Sequence, residues 1–238
     1  MVGGLQFPVA VDYGASPTPI GLMGPFASMF TRPNAVQIRV SLDEIEPEVW
    51  RCLVVPLHWN LEQLHLVIQA AFNWWNYHLH EFRIGGLCYG DRVVLEEGSV
   101  EDDPRAFEQR EVSLRDFRDL GTTFAYIYDF GDNWHHTVEI EKFLALDEPP
   151  KQASCVDGAR ARPPEDVGGI PGYEQFLAII KNSKHPDYAE TKRWCGGHFD
   201  PEWFDLNTVD KDVRDALKPN IQRRPHQPRP KKSRPSSD

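Results

Sequence analysis

Across 238 residues no apolar run approaches the ~20 needed to span a bilayer. No basic residue precedes Arg32, so the charged start of a secretory signal is missing. Cysteine is sparse: Cys52, Cys88, Cys155 and Cys195 lie far apart with no CxxC pair, which fits a reduced set better than a disulfide framework. These absences predict a cytoplasmic protein with no membrane segment. Several reaction signatures are missing too. There is no G-x-x-x-x-G-K-[ST] phosphate loop and no G-x-G-x-x-G after a strand, so neither route to nucleotide binding is indicated. Neither a G-x-S-x-G elbow nor an H-E-x-x-H helix occurs.

Basic charge is scarce in the body of the chain. The net charge is −10, yet the tail from Pro219 to Asp238 holds Arg223, Arg224, Arg229, Lys231, Lys232 and Arg234 against one acid, Asp238, for +5. Residues 1–218 therefore carry −10 − 5 = −15. An acidic body repels phosphate, so nucleic-acid binding is disfavoured there and left to the tail. A recombinase of the serine type would need a basic helical module that the body lacks.

What is present is core material: 40% hydrophobic residues, with seven Trp and thirteen Phe. Residues 1–34 are rich in Gly and Pro and read as an extension, flexible or lying on the surface; residues 219–238 read as a disordered, basic, Pro-rich tail. The domain proper is residues 35–218. Inside it "AVQIRVSL" and "EVWRCLVV" predict adjacent antiparallel strands. Asn60 is placed to cap a helix in which Leu61, Leu64, Ile68, Ala71 and Phe72 recur at helical spacing. "YHLHEFRI" alternates as a strand, Glu96 to Arg110 reads as a long loop, and "REVSL" as a short strand. "TFAYIYDF" and "WHHTVEIEKF" flank a hairpin turn. After Leu144, Pro and Gly crowd into "PPEDVGGIPG", a loop, and three helices follow: "PGYEQFLAIIKN", "PDYAETKRW" and "NTVDKDVRDALK". Strands first and helices later predict one α+β domain, its antiparallel or mixed sheet packed with helices and its C-terminal part helical.

Five stretches, "IRVSLDEIEPEVWR", "HWNLEQLHLVIQAAFNWWNYHLHEFRIGG", "YIYDFGDNWHHTVEIE", "CVDGARARPPEDVGGIPGYEQF" and "GGHFDPEWFDLNTV", together resemble the plasmid pRi ORF-three-like family over roughly residues 35–215. The resemblance implies a single α+β domain associated with plasmids and mobile elements, and it implies no established activity. It also implies cysteines near the positions of Arg162 and Val167; only Cys155 stands in that region here, so no cysteine metal site carries over.

The chemistry-bearing candidates form a polar set: His78, His80, Asp129, His135, His136, Glu165 and Asp166. On a continuous strand His78 and His80 share a face, either as hydrogen-bonded residues at the end of the core face or as a pair able to converge on one ion with Asp129 as third ligand. A three-residue hairpin loop sets Asp129 opposite His135; a two-residue loop sets it opposite His136. Tyr126, Tyr128 and Phe130 fall on one face at period two, as core residues do. Glu165 and Asp166 sit on a stiff loop, suited to a divalent cation or to turn chemistry. Cys195 and His198, a lone C-x-x-H, fall short of a zinc knuckle. Asp200 before Pro201 is placed to cap a short helical turn. Three readings stand side by side: a non-enzymatic interaction or regulatory module recruiting a protein partner, a metal-dependent hydrolase or nuclease built on the His/Asp/Glu set, and a nucleic-acid-associated passenger of a mobile element acting through Arg223, Arg224, Arg229, Lys231, Lys232 and Arg234.

Overall fold

A computed structural model describes residues 32–91, 106–117, 123–219 and 227. Its first pair of strands, β1 (Ala35–Leu42) and β2 (Val49–Pro56), is antiparallel, running from Ala35 opposite Pro56 to Leu42 opposite Val49. Val36, Ile38, Val40 and Leu42 alternate into the core, as a half-buried strand must. Helix α1 (Leu61–Phe72) starts at a capping box: Asn60 Oδ1 accepts the Gln63 N–H, and the Gln63 side chain accepts the Asn60 N–H. Its apolar positions Leu61, Leu64, Ile68 and Phe72 are all buried, at about 1.5–3 kcal/mol each.

Six further strands follow: β3 (His80–Ile84), β4 (Leu87–Gly90), β5 (Ala106–Glu108), β6 (Thr123–Tyr128), β7 (Trp134–Leu144) and β8 (Ser154–Ala159). Together the eight form one mixed sheet in the order β5-β4-β3-β6-β7-β1-β2-β8. Every neighbouring pair is antiparallel except β4 with β5. Among the described residues three helices follow: α2 (Gly169–Lys181), α3 (Tyr188–Trp194) and α4 (Leu206–Arg214). α4 packs on β8 and α1, and the C-terminal half of α1 lies beside the loop after β8. The fold is α+β. Among the described residues no helix is long and apolar enough to cross a membrane.

Several local expectations need correction. "REVSL" is not a strand: 3-10 turns at Gln109–Glu111 and Leu114–Phe117 take it up, with one isolated bridge from Ser113 to Asn60. Within the Glu96–Arg110 stretch, Ala106–Glu108 is a strand, while its first ten residues lie outside the described ones. β8 has no counterpart in the sequence reading, because "SCVDGA" holds one strongly β-forming residue, Val156, and owes its extension to pairing with β2. Asp200, by contrast, caps a short turn as expected, its Oδ1 accepting the Glu202 N–H and its carbonyl the Trp203 N–H. Residues 1–31 of the N-terminal extension lie outside the described residues, and so do Arg223, Arg224, Arg229, Lys231, Lys232 and Arg234 of the tail.

Candidate functional site

Three irregular segments meet at one end of the sheet. The first leaves α1 through Asn73, whose left-handed backbone (φ 59°) ends the helix. A second left-handed residue, Asn76 (φ 56°), turns the chain again before β3. Strand alternation therefore starts only at His80, and His78 leaves the face that His80 occupies. The expected His78–His80 pair does not form.

The second segment is the hairpin between β6 and β7. Its last strand pair is Tyr128 with Trp134, leaving a five-residue connection. Asp129 and Asn133 are both left-handed (φ 58° each), a conformation Asp and Asn tolerate better than other side chains. Asp129 thus faces neither His135 nor His136; those pair with Ile127 and Tyr126. Its Oδ1 accepts the N–H groups of Gly131 (2.9 Å) and Asp132 (3.3 Å), an Asx turn that leaves Oδ2 free to point elsewhere. The turn also carries Phe130 into solvent, away from buried Tyr126 and Tyr128.

The third segment, between β8 and α2, brings Glu165 and Asp166. Asp132 Oδ2 accepts the Gly168 N–H at 3.1 Å, latching this loop to the hairpin turn. The approach is so close that a Cβ on Gly169 would lie 2.6 Å from the Asp132 carbonyl oxygen, and φ is +65° there, so glycine is required.

His78 is where the three converge. Its Nε2 lies 3.1 Å from Asp166 Oδ1 and 3.5 Å from Asp129 Oδ2, and the three ligand atoms all fall within 4.8 Å of one another. Despite that proximity, Nε2 is aligned for a hydrogen bond with neither oxygen and has no other partner. Two donors about 2.1 Å from one ion stand about 3.0 to 3.5 Å apart for angles between square and tetrahedral, so these separations suit a shared cation. Tyr77 Oη donates to Asp166 Oδ2 at 3.0 Å and orients it; burial, then this hydrogen bond, push the Tyr77 phenol up to about 12. Behind the group stands Glu165. Its Oε1 accepts the Trp75 N–H at 2.6 Å, with Arg162 4.0 Å away. Oε2 is buried without a hydrogen-bond partner. Burial raises the Glu165 carboxyl above the ordinary carboxylate range, against the opposing pull of Arg162.

The other expected site residues sit elsewhere. His80 is buried, stacks on His65 with ring centroids 3.4 Å apart, and bonds Gln109 Oε1 through Nε2 at 2.9 Å. Burial holds it below the usual histidine range. His136 is fully buried; Trp74 Nε1–H donates to its Nε2, and its Nδ1 contacts the Tyr126 and Trp134 carbonyls. Those carbonyls only accept, so Nδ1 carries the proton and the ring is neutral; burial pushes it down to about 3. His135 is half-buried and bonds Asn133 Oδ1 at 3.2 Å.

Asp166 and Glu165 also line a cleft of about 450 Å³ beside the cluster. Trp75 and Trp194, both substantially exposed, flank it together with Phe199 and Trp203. Its floor includes two buried guanidinium groups. Arg51 donates to the carbonyls of Trp50, Ala71, Ala159 and Arg160, and burial lowers it to about 10. Arg162 donates to the Pro163 and Asn73 carbonyls and lies over the Trp74 ring, its centroid 4.6 Å away. Sequence reasoning missed Tyr77 and these arginines. The signal for Tyr77 was its place beside Asn76, a residue prone to the left-handed turn that aims it at the loop.

Comparison with known proteins places the chain. Residues 34–208 match the family described as plasmid pRiA4b ORF-3-like protein. An uncharacterized protein, y4hQ, of Sinorhizobium fredii is 38% identical over 187 residues, covering 76% of this chain and 92% of that one. The crystal structure of a protein of unknown function, MM3350, from Methanosarcina mazei Go1 is similar at a TM-score of 0.64 and 35% identity, covering 75% of this chain and 97% of the other. On the family match and on the identity with relatives it spans almost end to end, the chain belongs to the plasmid pRiA4b ORF-3-like family.

Proposed function

We propose that the chain is a divalent-cation-dependent hydrolase whose ion is held by His78, Asp129 and Asp166 and whose substrate occupies the adjoining cleft. The observation that carries this reading is His78 Nε2, set between two carboxylate oxygens yet bonded to neither. Two carboxylates and a neutral imidazole balance a divalent charge, and three protein ligands leave coordination positions open for water and substrate. A bound ion would lower the pKa of such a water for attack. Glu165, with one unpartnered oxygen and a raised pKa, is suited to take the proton released. The cluster includes Asp166 in place of His80. Four free cysteines agree with a reducing compartment, and we place the protein in the cytoplasm on that ground.

A direct test is elemental analysis of protein purified without a histidine tag, followed by calorimetric titration with Mn²⁺ and Zn²⁺. One equivalent is expected to bind, with Asp166→Asn weakening it more than about tenfold. Asp166 is exposed, so this change leaves the fold intact. No stoichiometric ion and no heat of binding would remove the cation, and with it the hydrolase.

The exposed pair Trp75 and Tyr77, rings 5.7 Å apart, favours a second reading as a protein-interaction module. A Trp75→Ala variant that keeps cation binding but loses a specific partner would support it.

A further inference from the structure

We propose that the cleft beside the cation cluster is the docking surface of the chain's own C-terminal segment, with Gln227 as the anchor. Gln227 lines the cleft alongside Trp75, Trp194 and Phe199. Its side-chain amide bonds both main-chain groups of one residue, Asp200, which follows the cleft residues His198 and Phe199. Oε1 accepts the Asp200 N–H at 2.7 Å, and Nε2 donates to the Asp200 carbonyl at 3.1 Å. A third bond joins His198 Nε2 to the Gln227 carbonyl oxygen. Because a carbonyl only accepts, His198 must carry its proton on Nε2. The contact therefore has defined donor and acceptor roles at all three points.

The residue type matters. Asp200 offers one backbone donor and one backbone acceptor, and a primary amide is the side chain that answers both at once. Glutamate at position 227 would keep the acceptor and lose the donor. Charge points the same way. The stretch Pro219–Asp238 carries +5 and residues 1–218 carry −15; the cleft sets Glu165, Asp166 and Asp212 against the Arg51 and Arg162 guanidinium groups of its floor, which are engaged by backbone carbonyls. A basic segment is drawn to such a surface, and being part of the same chain it needs no bimolecular encounter. The sequence left the basic tail open between a solvated end and a nucleic-acid contact; the contacts at Gln227 point to a destination within the protein. His198 finds its role here as well, having had none as half of a C-x-x-H pair.

A consequence follows for any ligand of the cleft: it competes with Gln227. The inference does not rest on the cation, so it is tested in chelator. A fluorescently labelled synthetic peptide of residues 220–238 is titrated against the full chain, against full-length Gln227→Ala, and against full-length Gln227→Ala with His198→Ala, following anisotropy. The wild-type chain, its cleft already engaged, should bind the peptide at least tenfold more weakly than Gln227→Ala. Removing His198 from the latter should cost about tenfold, as should a Gln→Glu change at position 227 of the peptide, which needs no folding. Raising salt from 50 to 500 mM should weaken binding. Equal affinity of the wild-type and Gln227→Ala chains, or no saturable binding to either, would overturn the proposal. So would concentration-dependent self-association of the wild-type chain that the peptide reverses, since the occupant would then be a second copy.

Discussion

His78 and His80 are two residues apart and belong to different chemistries. His80 lies on a strand, stacked on His65 and bonded to Gln109, with burial holding it below the usual histidine range. His78 lies before the strand, partly exposed, with its Nε2 between two carboxylate oxygens and bonded to neither. His136 is also part of the core, both its nitrogens answered by neutral partners. A histidine whose partners are all satisfied is a piece of the core, whereas one that faces unneutralised acceptors invites a ligand. Counting histidines in a motif does not separate the two; the partners do.

The difference can be broken from either side, and the largest effect is expected from the core. His136→Ala leaves a cavity and strands the Trp74 indole N–H, and should cost about 2–4 kcal/mol in urea unfolding. The same residue sets a pH dependence. Its folded pKa, about 3, lies below the unfolded value of about 6.5. The neutral ring therefore contributes stability that is full above about 6.5 and is lost as pH falls toward 3, with a slope up to about 1.4 kcal/mol per unit. His136→Ala should flatten that slope, and an unchanged slope would show the ring to be charged or titrating elsewhere. Next comes Gly169→Ala, which forces a Cβ against the Asp132 carbonyl and should cost about 1–3 kcal/mol. Because this loop carries Asp166, the change should weaken Mn²⁺ binding too; stability lost with affinity intact would break the link between latch and site. Smallest is Asp166→Asn, which should alter stability by less than about 0.5 kcal/mol while weakening cation binding more than about tenfold, the opposite pattern to His136→Ala.

Periodic segments were legible in the sequence because local rules decide them. The capping box at Asn60 and Gln63, the buried stripe of α1 and the β1–β2 pair depend on residues close in sequence. Placement of the site depended on four left-handed residues, Asn76, Asp129, Asn133 and Asp166. Asp129 breaks the alternation read through "TFAYIYDF" and Asn76 delays that of "YHLHEFRI", while Asn133 and Asp166 lie in segments read as turn and loop. Asn and Asp there were the available warning, since they adopt that conformation most readily after glycine. Bringing Asp166 to His78 is a long-range event that no periodicity reports. β8 was missed for the same kind of reason, its extension being imposed by β2 and not by its own side chains.

The bond from the Gly168 N–H to Asp132 has a thermodynamic corollary. His78, Asp129 and Asp166 come from segments far apart in the chain, and an ion joining them would act as a cross-link closing two long loops. In a chain without the latch, the ion would have to supply that loop-closure entropy itself. With the hairpin turn and the Asp166 loop already fastened together, most of the closure is made during folding. Cation binding can then add its free energy to the native state in proportion to the logarithm of ion concentration, and the melting temperature becomes a gauge of occupancy.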